Sequence, residues 1–389
     1  MINNQQFPQP QGAEFAPVVI RASGHSNAIK IVLGTTAALI GLLLGLLVLL
    51  LIGVETGPVA LLVGMICATI PVPIYVMLVL WIDRYESEPM WMLCTTFFWG
   101  AMVAVFVAFI FNTASVVFVG AVTQNVQAGE TFAAVISAPI VEEGAKALIL
   151  FIFFFWKKDE FDGVIDGIVY ASLVALGFAM TENFQYYGKA ALHGTLTGTI
   201  VIRGFMAPFS HPLFTSMTGI GLGLSRQSKN MAVKFIAPVM GLTLAMLMHA
   251  IWNGSGALFG GLAFLLTYVV VMVPAFLILL VVIIFSLRRE GRLVREFLLP
   301  DFQRGLLTQQ EYNQLASVWQ RLGASTDSLT RGGIGKWRVC MQLNQTGSEL
   351  AFHRSRVARG IFKSEQAARE REAGYVQVMQ DLLQRLRTT

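Results

Sequence analysis

The stretch APIVEEGAKALILFIFFFW, Ala138 to Trp156, decides how the rest of the chain is read. It has the length and apolarity of a membrane span, yet Glu142, Glu143 and Lys146 fall within five residues of one another inside it. A charged side chain at the centre of a spanning helix costs roughly 2.5 to 3.5 kcal/mol on insertion scales, so these groups must face protein or water and not lipid. A helix puts residues four apart on one face. The pattern therefore predicts a Glu142–Lys146 pair, with Glu143 pointing about 100° away. Pro139, just before them, loosens the preceding turn.

Outward from this stretch the chain reads as an all-α, polytopic membrane protein. Of 389 residues, 55% are hydrophobic and 13% charged, and the mean hydropathy is +0.64, whereas a soluble domain carries about a quarter charged residues. Apolar runs of spanning length are expected near 28–52, 58–82, 91–121, 132–156, 164–187, 195–224, 232–255 and 257–287, eight in all. Residues 1–27 read as a flexible polar arm, 28–290 as the transmembrane domain, and 291–389 as a basic helical tail. In the tail, TQQE at Thr308–Glu311 predicts a capping box opening a helix through Gln320, and TRGGIG predicts a break. GLLLG (Gly41–Gly45) and GIGLG (Gly219–Gly223) place small residues four apart, where helix backbones can approach.

Loop charge orients the chain. One set of flanks carries Arg21, Lys30, Arg84, Lys157, Lys158, Arg226, Lys229, Lys234 and the arginines from 288 to 295, while the opposite loops carry Lys189. The positive-inside rule then puts both termini, and the tail, in the cytoplasm. The net charge of +5 suits an anionic membrane face, and no zinc finger or other nucleic-acid motif accompanies it. The three cysteines offer neither a disulfide framework nor metal-ligand spacing.

Polar groups concentrate in the fourth to seventh expected spans; the others contribute little beyond Asn112. The fifth carries Phe178, Glu182 and Asn183 in GFAMTENFQYY. The sixth carries Arg203 and, between two prolines, His211 in RGFMAPFSHPLFT. The seventh carries His249 and Asn253, on one helix face, in MLMHAIWNGSG. Singly, each of these is an ion pair, interhelical glue or a satisfied core histidine. Jointly they exceed what pairing needs and point to a working polar cavity. A desolvated carboxylate suits a general base, which fits Glu142 and Glu143, and His249 and Asn253 could donate to an oxyanion. The alternative is metal-assisted hydrolysis, with zinc on His211, His249 and Glu182. A proton-coupled transporter or channel would use the same groups as a relay, although transporters distribute broken helices over matching halves and this pattern does not. A non-catalytic scaffold would leave the buried charge unexplained.

EEGAK resembles the EExxK element of the PrsW family of bacterial intramembrane proteases. FAMTEN, the SHPLFTSMTGIGLG segment and HAIWN are similar to its later motifs in the same order. The resemblance extends to the CAAX prenyl endopeptidase superfamily, from which Glu182 departs where that superfamily has histidine. It covers roughly residues 80 to 290. It implies a multi-pass protein of the bacterial inner membrane that cuts a single-span, membrane-anchored protein; in the best-known member the substrate is an anti-sigma factor. Catalysis then falls to Glu142, Glu143, Glu182, His211, His249 and Asn253, with Lys146, Phe178 and Asn183 supporting; Arg203 joins the supporting group from helical facing. With cytoplasmic termini, Glu142 lies about ten residues, or ~15 Å, below the outer face, so the expected cut lies in the outer half of the substrate's span.

Overall fold

The computed structural model describes residues 24–158, 160–360 and 364–388. The expected arm therefore falls largely outside the described residues, and its last four positions belong to the first helix. Every regular element among the described residues is helical. In order these are α1 (Gly24–Thr56), α2 (Pro58–Thr69), α3 (Val72–Ile82), α4 (Met90–Phe98), α5 (Val105–Thr123), α6 (Val126–Phe132), α7 (Ala138–Trp156), α8 (Val164–Leu192), α9 (Leu196–Ile200), α10 (Ser210–Gln227), α11 (Met231–Thr267), α12 (Val273–Gln303), α13 (Gln309–Leu315), α14 (Val318–Ala358) and α15 (Glu365–Thr388). π-helical turns at Trp99–Ala104, Ala133–Ser137, Val201–Met206 and Tyr268–Met272 link neighbouring helices, and the second ends where Pro139 enters.

Among the described residues five helical runs are long and apolar enough to cross a membrane: Gly34–Thr56, Pro58–Ile82, Met90–Thr123, Val164–Leu192 and Met231–Gln303. The difference from the eight expected spans has physical causes. Glu142, Glu143 and Lys146 interrupt the apolarity of α7. The sixth segment is broken at Ala207–Phe209, around Pro208, and the α10 that follows is 18 residues rich in Ser, Thr and Gly with His211 and Arg226, too polar to count as a span. The seventh and eighth are joined into one 73-residue run that turns at Gly260, whose φ of 78° suits a residue without Cβ.

α8 is the centre of the bundle and touches α2, α3, α4, α7 and α10. Small residues permit that crowding. A Cβ on Gly219 would stand 2.1 Å from Gly167 O, and one on Gly167 would stand 2.2 Å from Gly219 O. The GIGLG stretch is thus a close helix crossing. In GLLLG only Gly45 meets a neighbour, the Met102 side chain, and Gly41 meets nothing.

α12 does not end at residue 290; it continues as one helix to Gln303 and breaks near Gly305. The Thr308–Glu311 capping box is present, but its helix stops at Leu315, five residues short of the expected end. The TRGGIG break is a kink at Gly333 within α14. The tail docks against the loop between α3 and α4. Arg321, 3% exposed, donates to Leu315 O, Arg84 O and Ser348 Oγ and lies over the Tyr85 ring, while Arg356 pairs with Glu86 at 2.9 Å.

Candidate active site

α7, α8, α10 and α11 bring their polar residues into one cluster. Lys146 is fully buried at its centre, with Nζ 2.8 Å from Glu143 Oε1, 3.6 Å from Glu142 Oε2, 3.2 Å from His211 Nδ1 and 3.9 Å from the centroid of Phe178. The sequence expectation paired Lys146 with Glu142 and sent Glu143 elsewhere. The observed lysine reaches both, and the closer partner is Glu143 one turn back, because its four-carbon stem spans i−3 as easily as i−4.

Glu143 is fully satisfied. Oε1 takes Lys146 and His249 Nδ1, the latter at 3.2 Å, and Oε2 accepts from Thr215 Oγ1 at 2.8 Å. Glu142 differs: Asn112 donates to its Oε1 at 3.3 Å, whereas Oε2 is buried without a hydrogen bond, 3.9 Å from His249 Nε2. The ion pair with Lys146 at 3.6 Å is too long for a hydrogen bond, and leaving a buried carboxylate oxygen without one costs about 1 to 3 kcal/mol or more, which marks it as a position held for something else.

On the other side of the cluster, Glu182 Oε2 binds Arg203 Nη2 and faces His211 Nε2 at 3.1 Å, and Arg203 Nε donates to Asn183 Oδ1 at 2.5 Å. Asn253 Nδ2 donates to Ala134 O at 2.9 Å, tying α11 to the π turn ahead of α7. Trp99 Nε1 donates to Ala145 O at 2.9 Å, one position from Lys146. A cavity of about 60 Å³, lined by Glu182, Arg203, His211 and Asn253, opens beside these groups and has room for a few waters.

Carboxylates only accept, so His249 donates Nδ1–H to Glu143 and His211 donates Nε2–H to Glu182. The nitrogens left with a lone pair are His249 Nε2 and His211 Nδ1. Among the described residues, Glu142, His211 and His249 form a group whose ligand atoms lie within 4.8 Å of one another. The sequence-derived set had Glu182 as the third ligand; here Glu182 is engaged by Arg203 and His211, and Glu142 supplies the convergent oxygen. The donor set fits a zinc-type ion: two imidazoles, each oriented by a carboxylate on its other nitrogen, and one orphaned carboxylate oxygen. Lys146 Nζ shares that space and would have to swing aside.

Two groups in this cluster were not singled out as site residues. Thr215 lies one turn after His211 on the same face, and Asn112 is linked through Ser137 to Ser115 at 2.8 and 2.9 Å. Their side chains are ordinary in spanning helices, so only the i, i+4 relation to His211 could have flagged Thr215.

A helical, many-spanning membrane protein with carboxylates and imidazoles gathered in a buried polar cluster belongs to the class in which intramembrane hydrolases are found. Residues 88–279 match the model of the PrsW family of intramembrane metalloproteases. Proteins named Protease PrsW are similar to the chain. The Bacillus subtilis (strain 168) protein is 30% identical over 174 residues, 44% of this chain and 71% of that protein. The Oceanobacillus iheyensis protein is 27% identical over 217 residues, 53% and 86% respectively. The Geobacillus kaustophilus (strain HTA426) protein is 31% identical over 144 residues, 37% of this chain and 58% of that protein's length. No solved structure matches the chain significantly. The chain belongs to the PrsW family, and with it to the membrane proteases.

Proposed function

We propose that this chain is an intramembrane endopeptidase that hydrolyses a peptide bond of a single-span, membrane-anchored protein, with Glu142, His211 and His249 at the reacting position. The observation that carries the reading is that these three side chains bring a ligand atom each within 4.8 Å of one another, while Glu142 Oε2 is buried without a hydrogen bond. An anti-sigma factor is the substrate class that the family resemblance suggests.

Glu143, held by Lys146, His249 and Thr215, fixes the His249 tautomer and keeps its charge in place. Glu182, held by Arg203, does the same for His211. Glu142 Oε2 is the basic oxygen free to take a proton from an attacking water and return it to the leaving amine. Lys146 and the remaining N–H of Asn253 would be donors to a developing oxyanion. A zinc-type ion held by Glu142, His211 and His249 would supply Lewis acidity and a lowered water pKa, with Glu142 then serving as a ligand in place of the base.

With cytoplasmic termini, as loop charge suggests, the cluster lies in the outer half of the membrane. A second reading, a proton relay, is favoured by the hydrogen-bonded chain from Ser115 through Ser137 and Asn112 to Glu142. Co-reconstituting the protein with a tagged single-span substrate and mapping the new terminus by mass spectrometry separates these readings. A cut in the outer half of the substrate's span is expected. A cytoplasmic cut overturns the orientation, and proton flux without any cleavage overturns the protease reading. Metal analysis of wild type, His211→Ala and His249→Ala tests the ion: stoichiometric zinc lost in both variants supports it, and a fully active metal-free protein removes it.

A further inference from the structure

An apolar cleft of about 720 Å³ lies between α3 and α12, and its inner end reaches Pro212 and Leu213, next to His211 on α10. Its walls are aliphatic and aromatic, with Leu78 and Ile82 on one side, Leu280 and Ile284 on the other and Phe209 and Phe276 between, and it is bordered by Arg288, Arg292 and Arg295. These arginines stand at i, i+4 and i+7 on α12, one face of one helix, immediately after the apolar run that ends at Leu287. All three are exposed, and no salt bridge engages any of them among the described residues; Arg295 has the Tyr312 ring 5.5 Å away. Trp319, 75% exposed, also borders the cleft.

We infer that this cleft is a binding site for an anionic glycerophospholipid, an acyl chain lying between α3 and α12 and the headgroup phosphate held by Arg288, Arg292 and Arg295. Charge complementarity carries the assignment. Guanidinium groups bind phosphate through a fork of donors, and basic pockets between spanning helices at a membrane face select anionic headgroups. An exposed tryptophan beside them suits the headgroup level. Size separates the lipid from a substrate helix. The volume lies in the range of small-ligand pockets, about 300 to 1,000 Å³, whereas a spanning helix is about 10 to 12 Å wide and 30 Å long.

The test uses the full chain purified in detergent and loaded with either phosphatidylglycerol or phosphatidylcholine, with bound lipid counted by native mass spectrometry. Wild type should retain phosphatidylglycerol preferentially. Each Arg→Gln change at 288, 292 or 295 should weaken that retention by about fivefold, while the same change at Arg331, Arg338 and Arg371 on the tail should not. Leu280→Trp with Ile284→Trp, which fills the cleft and leaves the arginines, should also lose the lipid. Thermal unfolding of each variant verifies that it is folded. Equal retention of the two lipids, or wild-type retention by the arginine triple variant, overturns the site. Undiminished retention by the filled variant reduces it to surface charge attraction. If the filled variant keeps its lipid and loses cleavage, the cleft belongs to the substrate.

Discussion

α1 and α8 are both long apolar helices, and they use their apolarity in opposite ways. α1 holds the more hydropathic span, 3.0 against 1.8, yet 17% of its most apolar window is buried against 89% for α8. In water the greasier helix would be the core. In lipid, hydrocarbon solvates leucine as well as protein does, so a lipid-facing helix can be the greasier one while the central one is built from small and polar residues that pack and hydrogen-bond. α8 accordingly carries glycines at its crossings and Glu182 in the cluster, while Leu39, Leu43 and Leu50 of α1 remain exposed.

The contrast can be broken most severely on α8. Gly167→Leu pushes side-chain atoms into the Gly219 backbone, and the expected outcome is loss of the folded bundle, read as loss of a monodisperse peak in detergent and rapid proteolysis. Arg321→Ala should act next, and locally: it removes buried charge-assisted hydrogen bonds under the tail, about 2 kcal/mol or more. Proteolysis should then free α14 and α15 while the membrane helices stay intact. If the tail stays protected, its docking lies elsewhere.

A smaller effect concerns pH at the same junction. Burial raises the carboxyl of Asp83 from its ordinary value to about 7, opposed by a hydrogen bond from Glu88 N, and burial also raises Glu86 and Glu88 well above the usual carboxylate range. Between the unfolded and folded values the folded state holds the extra proton. Stability from Asp83 is therefore full below about pH 4 and lost as pH rises through about 7. Asp83→Asn should flatten the thermal stability profile over that window by one proton's worth, and an unchanged slope would assign it to Glu86 and Glu88. The smallest effect belongs to α1: Leu43→Ala should shift stability by less than about 0.5 kcal/mol in a thermal scan, since no packed neighbour is lost. A core-sized loss would mean that this face is covered.

Much of the site was legible because charge inside an apolar run is expensive and therefore conspicuous. Glu142, Glu143, Glu182, His211 and His249 stand out on that ground alone, and the structure gathers them. Which carboxylate converges with the histidines was not legible. That depends on Arg203 reaching Glu182 across helices and on a lysine stem that can serve two glutamates, and neither follows from spacing. The tail shows the same limit. The Thr308–Glu311 cap is a local signal and was readable, whereas Arg321 meets Arg84 O across 237 positions, a partner that no local pattern announces. Helix count blurred where Gly260 and the Ala207–Phe209 break redirect the chain within apolar sequence.

The central claim is that the orphaned oxygen of Glu142 is the reactive one. Its direct test is the cleavage rate of a co-reconstituted single-span substrate by Glu142→Gln, which keeps the shape of the side chain and removes the basic oxygen. Loss of general-base function costs about 10²- to 10⁴-fold, so cleavage should fall by at least that much in a protein that unfolds no earlier than wild type. Cleavage at the wild-type rate would contradict the account.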